Sequence, residues 1–402
     1  MDAIQNTPYC IYNKSRKQTH MECIKGTFGY DLQFLKKYHK DLILLGDESD
    51  AAAQIIILPA YQGRVMTSTA EGDGGMSFGW INYELIDSNR EEEHFHAFGG
   101  EERFWLGPEG GQFSIYFKKG DPFNFDHWFV PKAIDTEPFI LVSASKTEAN
   151  FQRDISLKNY TGFEFNLRVT RNIRLLSKTE IPLLLGVPIS ENLQIVGFES
   201  NNSITNTGNT PWTKETGLLS IWILSMFNAG DKTRIAIPYK QGNEADLGKI
   251  VTDDYFGKVP MDRLKIKNGF IFLNADANYR SKIGISPKRA LPILASFDGV
   301  NEVLTIAQFS LPEYPADYVN SLWEMQENPF DGDVVNAYND GLIDGKQMGK
   351  FYELESSSPA ATLNVGESVH HLHRTIHLKG NIKDLDEITQ TLLGIHLSEF
   401  SI

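Results

Sequence analysis

The chain has 402 residues, 41% of them hydrophobic and 11% aromatic, and a formal net charge of −14. That composition supports a large core, and the acidic balance excludes a nucleic-acid binder built on clustered Lys and Arg. No apolar run of about 18 residues supplies a membrane-crossing helix, and Cys10 and Cys23 have no companions at zinc-ligand spacing.

Residues 1–25 are polar and carry no apolar secretory segment, so the chain as it stands reads as cytoplasmic, or periplasmic with an upstream leader. They read as an N-terminal extension to a single domain over 26–402, which no Pro- or Ser-rich linker divides. Residues 31–38 read as a helix capped by Asp31, with Leu32 and Leu35 on one face. Residues 54–58 are a short apolar strand closed by Pro59. In the segment 94–114, His94 and His96 stand two apart on an expected strand, and two Gly-Gly pairs flank Arg103, Trp105 and Glu109. Glycines beside aromatics suit a pocket where a ligand meets the main chain. Residues 113–117, 138–142, 163–171 and 303–309 alternate or run apolar as strands, with Phe165, Leu167 and Val169 on one face of the third. Between the first and second of these runs lies Asp126-His127-Trp128, where an Asp can orient a His and an indole can carry a pyranose.

Further along, Asn201-Asn202-Ser203 offers amides that hydrogen-bond but cannot protonate, and Trp212 follows a Pro in a loop. Arg280 and Lys282 alternate out of a strand and share a face fit for an anionic or hydroxylated group. The segment from Trp323 to Gly341 is the densest run of side-chain oxygens; Ca²⁺ takes such ligands, but the spacing does not fit the EF-hand loop. The run 351–368 places Glu353 and Glu355 on one strand face before a break around Pro359. His371, His373 and His377 would share one face of the next strand, with His370 on the other; no third ligand type nearby argues for zinc. Leu385, Ile388 and Leu392 recur at helical spacing, and Gly394 follows as a stop. Period-2 runs separated by Gly, Asn, Asp and Pro imply an all-β, mainly antiparallel fold: a large sandwich with a few short helices.

The order Leu354-Glu355-Ser356-Ser357, with Gly63-Arg64 and the His96 region, resembles the aldose 1-epimerases of the galactose mutarotase-like superfamily. A more specific resemblance, through GGEERFWLGPEGGQFS, TKETGLLSIWIL, DDYFGKVP, YRSKIGISP and FYELESSSPA, is to an uncharacterised group from gut Bacteroidetes. The resemblance implies a β-supersandwich, a carbohydrate ligand, no cofactor, and a Glu base working with a His acid on the sugar ring. Carried over, Glu355 is the base. The family's acid His falls at Asn201-Asn202, which leaves His96 and then His127 as the candidates. Trp105, Trp212 and Trp323 are stacking candidates, and Arg103, Glu109, Arg280 and Lys282 are substrate contacts. Three readings stay open: an epimerase-type enzyme, a non-catalytic carbohydrate-binding protein, and a hydrolase or lyase using Glu109 with Glu355. Oligomeric state is not legible.

Overall fold

The computed structural model describes residues 10–12, 21–47 and 50–401. Most of the extension expected over 1–25 lies outside the described residues; within it, Cys10–Tyr12 pairs with Met21–Cys23 and sets Cys10 opposite Cys23.

Two large antiparallel sheets form the body. One has ten strands, from Leu264–Lys267 at one edge, through Val303–Phe309, Ser368–Lys379, Gln194–Asn206 and Glu164–Leu175, to Ile140–Ala144 at the other. The second runs Ser281–Ile285, Val335–Asn339, Phe351–Ser357, Ser220–Leu224 and Arg103–Gly107, with Phe227–Asn228 also paired to Phe351–Ser357. A three-stranded sheet, Ile43–Asp47, Asp50–Leu58 and Arg64–Thr69, packs with the helix Phe28–Tyr38 through Phe28, Leu35, Ile56 and Met66. The all-β, mainly antiparallel class expected from the period-2 runs is what the chain adopts.

Alternation explains the layering. In Phe351–Ser357, Tyr352 and Leu354 point into the space between the large sheets, where they meet Ile235, Leu294, Ile283 and Ala337. Each such side chain, fully buried, contributes about 1.5–3 kcal/mol. Phe165, Leu167 and Val169 fill the same layer further along. The outer face of the ten-stranded sheet is covered by the helix Ile382–Leu393, whose Leu385 and Ile388 pack on Leu304, Ile306 and Leu378. Gly394, at φ 78°, ends that helix and returns its N–H to Gln390 and Thr389 carbonyls.

Four local expectations change. Asp31 is not the cap of the first helix: Thr27 precedes it, while Asp31 is buried and accepts hydrogen bonds from Tyr83 (2.5 Å) and Ser77. Residues 113–117 form turns, because the Ser114 hydroxyl donates to Glu109 and accepts from the Tyr116 N–H; Ile115, Tyr116 and Phe117 are all buried. His94 and His96 lie in irregular chain rather than on a strand. The 126–128 run belongs to a 3₁₀ turn, Phe125–His127, that buries Trp128 alone. No described helix is long and apolar enough to cross a membrane.

Candidate active site

The side of the six-stranded sheet turned away from the sandwich core carries a cluster of charged and aromatic side chains. Antiparallel partners share a face, and the register sets Lys282 beside Tyr338 and Glu353, and Gly284 beside Asn336, Glu355, Leu224 and Arg103. Ser357, Trp222 and Trp105 form the next row. The same alternation that sends Leu354 inward therefore sends both glutamates outward.

Glu355 is fully buried (0% exposed). Its Oε2 accepts the indole N–H of Trp222 at 2.9 Å and faces the Lys282 ammonium at 3.4 Å. Its Oε1 has no hydrogen-bond partner. Leaving one oxygen of a buried carboxylate unmatched is costly unless a ligand or water completes it. Glu353, two residues earlier, accepts from Arg103 Nη2 at 3.0 Å. Burial pushes the Glu353 carboxyl upward; Arg103 opposes this, while the Glu355 charge adds to it. The Arg103 guanidinium lies 4.1 Å from the Trp105 ring centre and 4.9 Å from that of Phe95.

Glu109 stands in the loop after Arg103–Gly107, fixed by its N–H to Ser321 Oγ at 3.2 Å. Burial pushes its carboxyl up, with Glu355 reinforcing and Lys282, Arg280 and Arg103 opposing. Asp333 is pushed up to about 6 by burial, although it accepts the Tyr255 hydroxyl at 2.6 Å. Asn336 Nδ2 donates to that hydroxyl at 3.3 Å and to the Ile283 carbonyl at 3.1 Å. Trp222, Lys282, Tyr255, Ser321, Asp333 and Asn336 line a narrow crevice.

The structure thus gathers Glu355, Glu109, Arg103, Trp105, Lys282 and Arg280. It separates the others. His96 is buried with Nδ1 on Asp135 at 2.7 Å, which raises its pKa against burial, while its Nε2 accepts the Glu92 N–H at 2.9 Å. Both nitrogens are occupied, which leaves no free N–H to deliver to a sugar. His127 sits on the surface turn with Nδ1 against Asn124 at 2.8 Å. Trp212 is core, edge-on to Phe165 at 5.1 Å. Trp323 stacks on Trp128 at 5.7 Å, one ring behind the site. The paired glycines serve the chain itself: a Cβ on Gly100 (φ 113°) would meet the Arg64 side chain, and one on Gly110 the Leu322 carbonyl.

Trp222, Tyr255, Tyr338 and the contact role of Glu353 were missed. For Trp222, period-2 reading of Ser220–Leu224 would have set it beside the carboxylates; Tyr255 comes from a loop with no such signal. The oxygens of the Trp323–Gly341 segment are spread. Asn339 bonds the Tyr279 and Asp340 carbonyls, and Asp340 accepts the Tyr338 hydroxyl at 2.7 Å. His371, His373 and His377 do share one buried face, but on Ser356, Ser310, Thr305 and Glu101. Among the described residues no group of three or more His, Cys, Asp or Glu is arranged to hold a metal.

Comparison with known proteins gives one family match, to the Family of unknown function (DUF6786), over residues 26–402. No curated protein matches. Among solved structures, the Slr1438 protein from Synechocystis sp. PCC 6803 is similar at 14% identity, covering 84% of this chain and 96% of that one, with TM-score 0.48. A galactose mutarotase-like protein from Lactobacillus casei ATCC 334 is 11% identical over 84% of this chain and 99% of its own, with TM-score 0.47. A galactose mutarotase related enzyme from Lactobacillus acidophilus is 10% identical over 84% and 97%, with TM-score 0.45.

Proposed function

The chain belongs to the family of unknown function DUF6786, and we propose that this member is a carbohydrate-active protein performing epimerase-type acid–base chemistry at the anomeric carbon of a sugar. The observation that carries this reading is Glu355: fully buried, held through Oε2 by Trp222 and Lys282, and with Oε1 unpartnered. Such a carboxylate keeps one oxygen open toward a ligand hydroxyl. An indole face among hydroxyl, amide, ammonium and carboxylate groups suits a polyol with one apolar side.

In this reading Glu355 takes the proton of the anomeric hydroxyl while a neighbouring acid protonates the ring oxygen. The C1–O5 bond breaks as the C1 carbonyl forms, the C1–C2 bond rotates, and the reverse transfers close the ring on the other face. The acid is Glu109, not His96. Burial and the Glu355 charge raise its carboxyl against Lys282, Arg280 and Arg103, and its backbone is held by Ser321, which lines the crevice. A pair of carboxyls with unequal proton affinity is also what glycosidic cleavage uses, and that second reading rests on the same two residues.

The test is proton-exchange NMR between anomers of a panel of reducing sugars, with release of new reducing ends followed in parallel on oligosaccharides. Glu355→Gln and Glu109→Gln should each slow anomer exchange by about 10²-fold or more. Unchanged exchange in Glu355→Gln removes the base; new reducing ends without exchange would move the site to cleavage. Binding with neither reaction leaves a carbohydrate-binding protein.

A further inference from the structure

We propose that the sugar this crevice accepts carries an anionic group, a carboxylate or a phosphate, and that Arg280 receives it; the proposal rests on the carbohydrate reading above. Arg280 immediately precedes the strand Ser281–Ile285 and stands two residues from Lys282, which lines the crevice, so the i, i+2 spacing sets the two on one side of the sheet. The other two cations there are matched in direct contact, Arg103 by Glu353 at 3.0 Å and Lys282 by Glu355 at 3.4 Å. Arg280 has no ion pair among the described residues, and its buried Nε has no hydrogen-bond partner. Its guanidinium is instead held flat, 3.8 Å from the centre of the Phe256 ring.

The acids near Arg280 do not use it. Asp340 spends its oxygens on the Tyr338 hydroxyl (2.7 Å) and the Gly349 N–H (2.9 Å). Arg280 is close enough to oppose the upward pull of burial on both Asp340 and Glu109, so it belongs to the same constellation. Arg103, 2% exposed, also keeps Nε and Nη1 without partners. Unmatched guanidinium donors away from water are costly, and a two-oxygen anion satisfies them in a fork geometry that a lone hydroxyl cannot. A neutral sugar would leave Arg280 as it is; an anionic one completes it.

Calorimetric titration of the full chain with D-glucuronate, D-galacturonate and D-glucose 6-phosphate, each against its neutral parent hexose, tests this. At least one anionic sugar should bind about tenfold or more tighter than its parent. Arg280→Met should reduce that preference to about threefold or less. Arg280→Lys should retain preference for a phosphate, which a point charge can hold, and lose it for a carboxylate, which needs the fork. The arm that shows the preference names the group. Equal binding of anionic and neutral sugars, or a preference intact in Arg280→Met, overturns the role of Arg280 and leaves the carbohydrate reading standing. No binding by any of the five sugars overturns both.

Discussion

The imidazoles of His371 and His373 share one hydroxyl, Ser356 Oγ, each at 2.8 Å, with no exposure to solvent. Burial lowers both to about 3 from 6.5. The folded protein therefore holds them neutral where the unfolded chain would protonate them. Stability is unaffected by them above pH 6.5 and is lost as pH falls from 6.5 toward 3, by about 1.4 kcal/mol per histidine per pH unit. Asp31 and Asp333, both raised to about 6, act with the opposite sign, since the folded form takes their protons first on acidification. The comparison that isolates the imidazole is wild type against His373→Gln in urea at pH 6.5, 5.5 and 4.5. The wild-type advantage should shrink by about 1.4 kcal/mol per unit as pH falls; parallel profiles would rule the neutral buried ring out. That these histidines share a face was legible from their i, i+2, i+6 spacing. That their partners are hydroxyls and a glutamate was not, because Ser310, Thr305, Ser356 and Glu101 come from distant segments.

Strands carry the division between core and site, and a one-residue slip of register would exchange them. Gly284 lies on the site side of Ser281–Ile285, opposite Asn336. A Cβ there would collide with the Asp333 carboxylate and crowd the Asn336 amide. Gly284→Ala should thus displace Asp333 from Tyr255 and weaken sugar binding by about tenfold, with a stability cost of about 1–3 kcal/mol; titration alongside thermal unfolding checks both, and undiminished affinity removes Asp333 from the site. Element reading from sequence succeeded where one face is buried and the other is wet, as in Glu164–Leu175, whose burial alternates through Phe165, Leu167, Val169 and Ile173. It failed at 113–117, where the apolar residues are buried on every side of a turn and alternation carries no meaning. It also failed at Asp31, whose side chain is recruited by Tyr83 and Ser77 rather than by its own helix.

Across the whole molecule, two apolar layers are stacked with the site beyond the second of them. The C-terminal helix covers one face of the ten-stranded sheet, the sandwich core separates the two large sheets, and the carboxylate cluster lies on the far face of the second. A cavity under the helix should therefore cost stability without touching chemistry. Leu385→Ala is expected to lose about 2–5 kcal/mol, with anomer exchange per folded molecule unchanged; a matching fall in exchange would mean that the layers are coupled. Sequence alone determined the antiparallel sandwich, the shared face of Glu353 with Glu355 and of Arg280 with Lys282, and the closing helix, since each follows from residue spacing within one segment. Only the tertiary structure decided that His96 is already committed to Asp135, that Trp212 belongs to the core, and that Arg280 has no ion pair among the described residues. Those properties depend on which distant residues fill the space around a group, and burial and partnership of that kind are set by the packing of the sheets rather than by any local pattern.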